Sequence, residues 1–138
     1  MLTELLQGVS LRYEIINRLK IMYEEVLRQF GLRDKEINIY LTLLNLGSAS
    51  VRKIAEMSGI NRGTSYDVLR DLADLGLVRY FEKKNHQYFS CEDPAKLISI
   101  LEKREEKIGK IKNELTDVVR DLQAIYGRRS QKPFVKYY

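Results

Sequence analysis

The sequence predicts a mainly α fold with a small β-hairpin: a winged helix-turn-helix followed by a long C-terminal coiled-coil helix. Three observations carry this. Residues 48–81, SASVRKIAEMSGINRGTSYDVLRDLADLGLVRYF, read as two short helices joined by a tight turn, with a strand behind them. A polar tip at 82–86 separates that strand from a second run, Gln87-Tyr88-Phe89-Ser90. Beyond Asp93-Pro94, leucine, isoleucine and valine recur at heptad spacing.

Composition narrows the function classes. A chain of 138 residues, 44% hydrophobic, supports one ordinary domain with helical extensions. The formal charge of +5 is a mild bias toward polyanions. It is unevenly spread: residues 31–90 hold nine basic and seven acidic groups, whereas the tail holds Arg128, Arg129, Lys132 and Lys136 and no acid. Cys91 is the single cysteine and His86 the single histidine, which excludes an intrachain disulfide, a cysteine-rich metal site and a histidine-based triad. No glycine-rich phosphate loop is present. Glu105-Glu106 and Asp71 with Asp74 read as solvated helix faces. A non-enzyme with no catalytic residue, metal or cofactor is therefore expected. No run reaches the roughly 18 apolar residues of a membrane span, and the N-terminus lacks a secretory pattern. A soluble, cytoplasmic and nucleoid-associated protein is the expectation.

Residues 1–30 form an amphipathic helix in this reading. After a break at Gly8, Ser10 caps it, and Ile15, Leu19, Met22, Val26 and Phe30 line one side, widened by Ile16, Tyr23 and Leu27. That stripe either packs on the core or joins a dimer interface; its electrically balanced polar face argues against a membrane surface. Residues 31–91 are the winged domain. Gly31 ends the first helix and Asp34 starts the next, with Leu32 as a staple. Its buried stripe is Ile37, Tyr40, Leu41 and Leu44, broadened by Ile39 and Leu43. Gly47 stops it. Ser50 caps a short helix whose Ile54, Ala55 and Met57 face inward. Ser58-Gly59 makes the turn, Ile60 plugs the corner, and Asn61 caps helix 62–75. Tyr66, Leu69, Leu72, Ala73 and Leu75 give that helix its core side. Tyr40, Tyr66 and Tyr80 read as core residues.

Asp93-Pro94 opens a helix over 93–126. Leu101, Ile108, Leu115 and Leu122 fill one heptad position; Leu97, Ile111, Val118 and Ile125 fill the other, with Arg104 breaking the row. Such a stripe pairs between chains in a homodimer or packs on the chain's own first helix. Residues 127–138 are a basic, aromatic tail or a truncated linker.

Duplex DNA is read by a rigid element narrow enough for the major groove, and the first turns of a helix make most base contacts. Here they offer Asn61, Arg62, Gly63, Thr64 and Ser65. Arg62 can reach a guanine edge or a phosphate, and Thr64 and Ser65 can donate to either. Gly63 permits close backbone approach. The free amides of this turn favour phosphate. Arg70, two turns on, is a weaker candidate. Arg52 and Lys53 open the preceding helix, which normally crosses the DNA backbone. Lys83, Lys84 and His86 at the wing would meet flanking phosphates or the minor groove. Asp67 and Asp71 would repel phosphate, so they should point away from the DNA backbone or toward a cytosine amine. The bland readings are an ordinary solvated helix start and an unliganded hairpin.

At residues 30–81 the sequence resembles the TrmB-like family of archaeal and bacterial transcriptional regulators. Gly31-Leu32, Glu36, Tyr40 and Gly47 match the family's opening helix. Ile54-Ala55, Ser58-Gly59-Ile60, Arg62, Tyr66-Asp67-Val68-Leu69 and Gly76-Leu77-Val78 match its helix-turn-helix, and Tyr88 through Pro94 with Leu97 echo its continuation. In such proteins a coiled-coil helix commonly follows. Two positions depart: Asn61 stands where proline is frequent, and Gly63 where a hydroxyl residue is usual. Many relatives continue into a sugar-binding effector domain. Residues 132–138 resemble its approach, so the chain reads as a fragment or as a short member without its own sensor.

The resemblance and the residues together imply a sequence-specific, double-stranded DNA-binding transcriptional regulator acting as a homodimer, with its effector undefined. Two other classes fit the same residues: a winged-helix protein-interaction module in a transcription or chromosome-associated complex, and a nonspecific architectural DNA-binding protein.

Overall fold

The computed structural model describes residues 2–130, with side chains from residue 14 onward except 16, 17 and 130. The tail beyond 130 and the place of Ile16 in the first helix's stripe lie outside the described residues. The elements are α1 (Leu2–Phe30), α2 (Asp34–Leu46), β1 (Ser48–Ser50), α3 (Val51–Ser58), α4 (Arg62–Asp74), β2 (Val78–Lys83), β3 (His86–Cys91) and α5 (Lys96–Ser130). They fall into two units, one ending at Pro94 and the next beginning at Ala95.

In the first unit, α1 runs through Gly8 and Ser10 without the expected break. Among its described side chains Leu27 is buried and Phe30 half-buried, whereas Ile15, Leu19, Met22 and Val26 are exposed. The inward face is thus one step round the helix from the expected stripe. Gly31, at φ 122°, ends α1, and the Leu32 amide donates back to the Leu27 carbonyl at 3.1 Å. Asp34 is the first residue of α2, but Arg33 takes the cap place. Glu36 Oε1 accepts from the Arg33 backbone N–H at 2.8 Å and from Arg33 Nε at 3.0 Å, which satisfies an otherwise buried carboxylate.

The core lies where α2, α3, α4 and the sheet meet. Ile39 and Leu43 are fully buried there, with Ile37 and Tyr40 beside them. The expectation for α2 is corrected in phase: Leu41 is half-buried and Leu44 stands 38% exposed. Likewise in α3, Val51 and Ile54 go inside while Met57 is exposed. In α4 the buried set is Ser65, Val68, Leu69 and Leu72, and Tyr66 is partly exposed. Tyr80 is also partly exposed, its hydroxyl donating to Glu82 Oε1 at 2.7 Å. Of the three tyrosines expected inside, only Tyr40 is there.

The sheet has three antiparallel strands in the order β1-β3-β2. Strand β1 was not expected from sequence. It pairs Ser48 with Ser90, Ala49 with Phe89 and Ser50 with Tyr88. The hairpin runs from Val78 opposite Cys91 to Lys83 opposite His86. Its tip is therefore two residues, Lys84 and Asn85, not the five expected. Their φ values of 53° and 64° are those of a type I′ turn, whose twist matches the flanking strands.

In the second unit, a turn at Pro94-Ala95 precedes α5, which starts at Lys96 rather than Pro94. The helix passes through Gly109 and Gly127 to Ser130, beyond the expected end near 126. It is a single long helix. Leu101, Ile108, Ile111, Leu115, Val118, Leu122 and Ile125 lie along it 46–63% exposed, and Leu97 is half-buried. Among the described residues, no helix is long and apolar enough to cross a membrane.

Candidate nucleic-acid interface

The helix-turn-helix is held by short-range bonds that the sequence supplies in order. Ser50 Oγ accepts from the Lys53 amide at 3.2 Å, which starts α3. Gly59, at φ 76° and ψ 11°, ends it in the left-handed region, its amide donating to the Ala55 carbonyl at 3.0 Å. Asn38 of α2 donates from Nδ2 to the Ser58 carbonyl at 3.0 Å, so the supporting helix grips the turn. Asn61 Oδ1 then accepts from the Thr64 amide at 2.8 Å and opens α4. Departure from the family's usual proline at this place leaves the helix start intact.

These constraints aim the first turn of α4 outward. Asn61, Arg62 and Gly63 are exposed and Thr64 is half-buried. A Cβ added at Gly63 would come no closer than 3.6 Å to Asn61 Oδ1, so nothing within the chain demands glycine there. Ser65 is different. It is fully buried, and its hydroxyl donates to the Ile60 carbonyl at 3.2 Å. Its side chain therefore locks the turn and does not stand among the exposed groups of this helix start.

The candidate basic residues fall into four places. Arg52 from α3, Arg62 from α4 and His86 from β3 line one cleft of about 510 Å³, with Asn85, Gln87 and Tyr88. This cleft joins the starts of both helices to the wing. Lys83 and Lys84 flank a second hollow with Phe81, Tyr88 and again His86. Arg70 stands apart: its guanidinium lies 6.0 Å from the centroid of the Tyr66 ring, two turns down α4. Lys53 is exposed on α3. Asn85, Gln87 and Tyr88 escaped the sequence reading. Counting back along β3 from a two-residue tip would have found them, but the tip was read as five residues.

The acids on α4 are partly accounted for. Asp71 Oδ2 receives Arg33 Nη2 at 2.9 Å, which turns it toward the start of α2. Asp67 is exposed and lines a hollow shared with Arg33 and Lys35. Among the described residues no group of histidine, cysteine and carboxylate side chains could hold a metal ion. Cys91 is half-buried, its thiol near the Tyr40 carbonyl at 3.7 Å, and burial pushes its pKa up to about 12. Such a thiol is not a nucleophile near neutral pH.

Comparison with known proteins agrees with this fold. The family model described as "Sugar-specific transcriptional regulator TrmB" matches residues 27–95. The chain is 37% identical over 94 residues to the uncharacterized protein MJ1082 of Methanocaldococcus jannaschii, a match covering 64% of this chain and 78% of that protein. The structure of TrmBL2, an archaeal chromatin protein, superposes with a TM-score of 0.72 at 21% identity. That superposition covers 86% of this chain and 45% of TrmBL2, so the chain spans less than half of TrmBL2's length. Transcriptional regulator Tm0710 from Thermotoga maritima gives a TM-score of 0.52 at 19% identity, covering 88% of this chain and 96% of that one. At these identities the structural likenesses establish a shared winged-helix fold. Fold and regulator family together support a non-enzymatic role.

Proposed function

The chain belongs to the TrmB family, a winged-helix DNA-binding regulatory protein by fold and by kin, and we propose that it reads a specific sequence of duplex DNA as a homodimer to regulate transcription in the cytoplasm. The observation that carries this reading is the cleft where Arg52, Arg62 and His86, from three separate elements, face one space. In this reading α4 lies in the major groove. Arg62 meets a base edge or phosphate, Gly63 lets the backbone approach, and Asn61 and Thr64 contact the adjoining strand. Arg52 and Lys53 take backbone phosphates. Lys83, Lys84 and His86 take phosphate or the minor groove. Arg70 lies furthest from this set.

Self-association is supported by α5. A soluble helix with an apolar stripe over four heptads requires a partner, and the stripe is exposed along most of its length. A two-fold dimer implies two half-sites, commonly about 34 Å apart.

Selection of bound DNA from a random library tests specificity. Arg62→Ala is expected to weaken binding and relax the preference at one position, by about 1–3 kcal/mol. Lys84→Ala is expected to weaken binding evenly across sequences and to lower the salt slope by about 1. Equal binding by both variants and the parent would refute the assignment. Absence of any duplex binding would favour the protein-interaction module, and binding without sequence preference the architectural protein. Leu115→Asp should turn dimer into monomer in solution.

A further inference from the structure

The charges beside the α5 stripe carry more than its existence: they carry its direction. Leu101, Ile108, Leu115 and Leu122 form one core row, and Leu97, Arg104, Ile111, Val118 and Ile125 the other. Immediately before the first row come Lys107 and Glu114; immediately after the second come Glu105 and Lys112. These four side chains are exposed on an unbroken helix, flanking the stripe on its two sides. In a coiled coil such flanking positions meet across the interface and select orientation.

Consider a parallel, in-register pair. Each residue before the first row then faces one after the second, five positions on. Lys107 meets the partner's Lys112, and the same clash recurs by symmetry. No opposite-charge contact compensates: Glu114 meets the partner's Val119, and Asp121 the partner's Tyr126.

An antiparallel pair behaves differently, because each flanking set faces itself. Set Leu97 opposite the partner's Leu122, Leu101 opposite the partner's Val118, and Ile108 opposite the partner's Ile111. Lys107 then faces the partner's Glu114, and Glu105 faces the partner's Lys112. Ile98 meets the partner's Val119, an apolar contact. Arg104 lies over the partner's Leu115, where its stem covers the side chain and its guanidinium reaches water. Sliding one heptad in one direction sets Glu114 and Lys112 each against its own copy; sliding in the other does so for Lys107 and Glu105. Of these three registers, only the first avoids every like-charge contact.

We propose that α5 pairs antiparallel with a second copy of this chain, about a two-fold axis crossing the helix between Gly109 and Lys110. This rests on the self-association proposed above. The two Lys96 residues, where the helices begin, would lie about 40 Å apart along the axis, from a rise of about 1.5 Å per residue.

Sedimentation equilibrium of the full chain tests it with one charge reversal of opposite consequence in the two orientations. Lys107→Glu places Glu against the partner's Glu114 in the antiparallel pair and is expected to raise the dimer dissociation constant about tenfold. Lys107→Glu with Glu114→Lys should restore it. The parallel pair predicts tightening, since Lys112 gains an opposite charge. Within its own helix Lys107 follows Lys103 by four residues, so Lys107→Glu removes a like-charge neighbour and should not melt α5. Circular dichroism checks that. Spin labels on Arg120→Cys, in a Cys91→Ser background, should sit roughly 35 Å apart; a separation of roughly 20 Å marks the parallel pair and overturns the proposal. An unchanged Lys107→Glu dimer overturns the register, and a tighter one overturns the antiparallel orientation itself. A parent chain that stays monomeric at every concentration overturns self-association with it.

Discussion

Arg33 Nη2 stands 2.9 Å from Asp71 Oδ2, joining the cap of α2 to the third turn of α4. The same guanidinium holds buried Glu36 through Nε at 3.0 Å. One cation therefore satisfies a carboxylate inside the domain and turns a second toward the start of α2. Sequence reading asked that Asp71 point away from phosphate; Arg33 supplies a physical means.

The two carboxylates should respond differently to mutation. Asp71→Ala breaks an exposed pair and is expected to lower stability by less than about 1 kcal/mol. Its DNA affinity should hold or rise, since a negative charge is lost. Arg33→Ala should destabilise by more, because it also removes the charge-assisted bond that satisfies the buried Glu36 carboxylate. Urea melts and a binding titration check both; a tenfold loss of affinity in Asp71→Ala would show instead that Asp71 contacts a base.

Ser65→Ala separates architecture from recognition. Loss of the bond to the Ile60 carbonyl leaves that half-buried acceptor short, at a cost of about 1 kcal/mol. DNA affinity of the folded variant should equal the parent's. A variant of full stability that binds DNA poorly would return Ser65 to the contact surface.

Gly63→Ala is expected to split stability from binding. The added methyl meets only an ordinary contact at 3.6 Å and the helix gains propensity, worth about 0.5–1 kcal/mol. A higher melting temperature with weaker DNA binding would mark a site of close backbone approach. Unchanged binding would show that Gly63 has no such role.

Alkaline pH should loosen the fold. Burial raises the Cys91 pKa from 9.0 to about 12, so the thiol's contribution to stability is complete below pH 9 and is lost as pH climbs through 12. Tyr40, also raised by burial, acts in the same direction. Cys91→Ala should flatten part of the decline in ΔG above pH 9, and iodoacetamide should label the native parent only slowly at pH 8.

The helix-turn-helix was legible because its punctuation is local. Ser50, Gly59 and Asn61 each act on amides or carbonyls within four residues, so type and spacing sufficed. The phase of α4 was not legible. Tyr66 looked more suited to a core than Ser65, yet packing of Val68, Leu69 and Leu72 puts the serine inside and leaves the tyrosine at the rim. β1 was invisible for another reason: three residues become a strand only by pairing with Tyr88 to Ser90, some forty positions away. The basic cleft shares that origin. Arg52 and Arg62 were found as individuals, but only the register of β3 brings His86 beside them.

That short strand has a mechanical consequence. Because β3 is bonded on one side to the segment that enters α3 and on the other to β2, the wing is not a swinging arm. The three β1 pairings tie the base of the wing, Tyr88 to Ser90, to the start of α3. If Arg62 and His86 contact a duplex as proposed, that tie would make groove width beside the contacted bases part of what the protein discriminates.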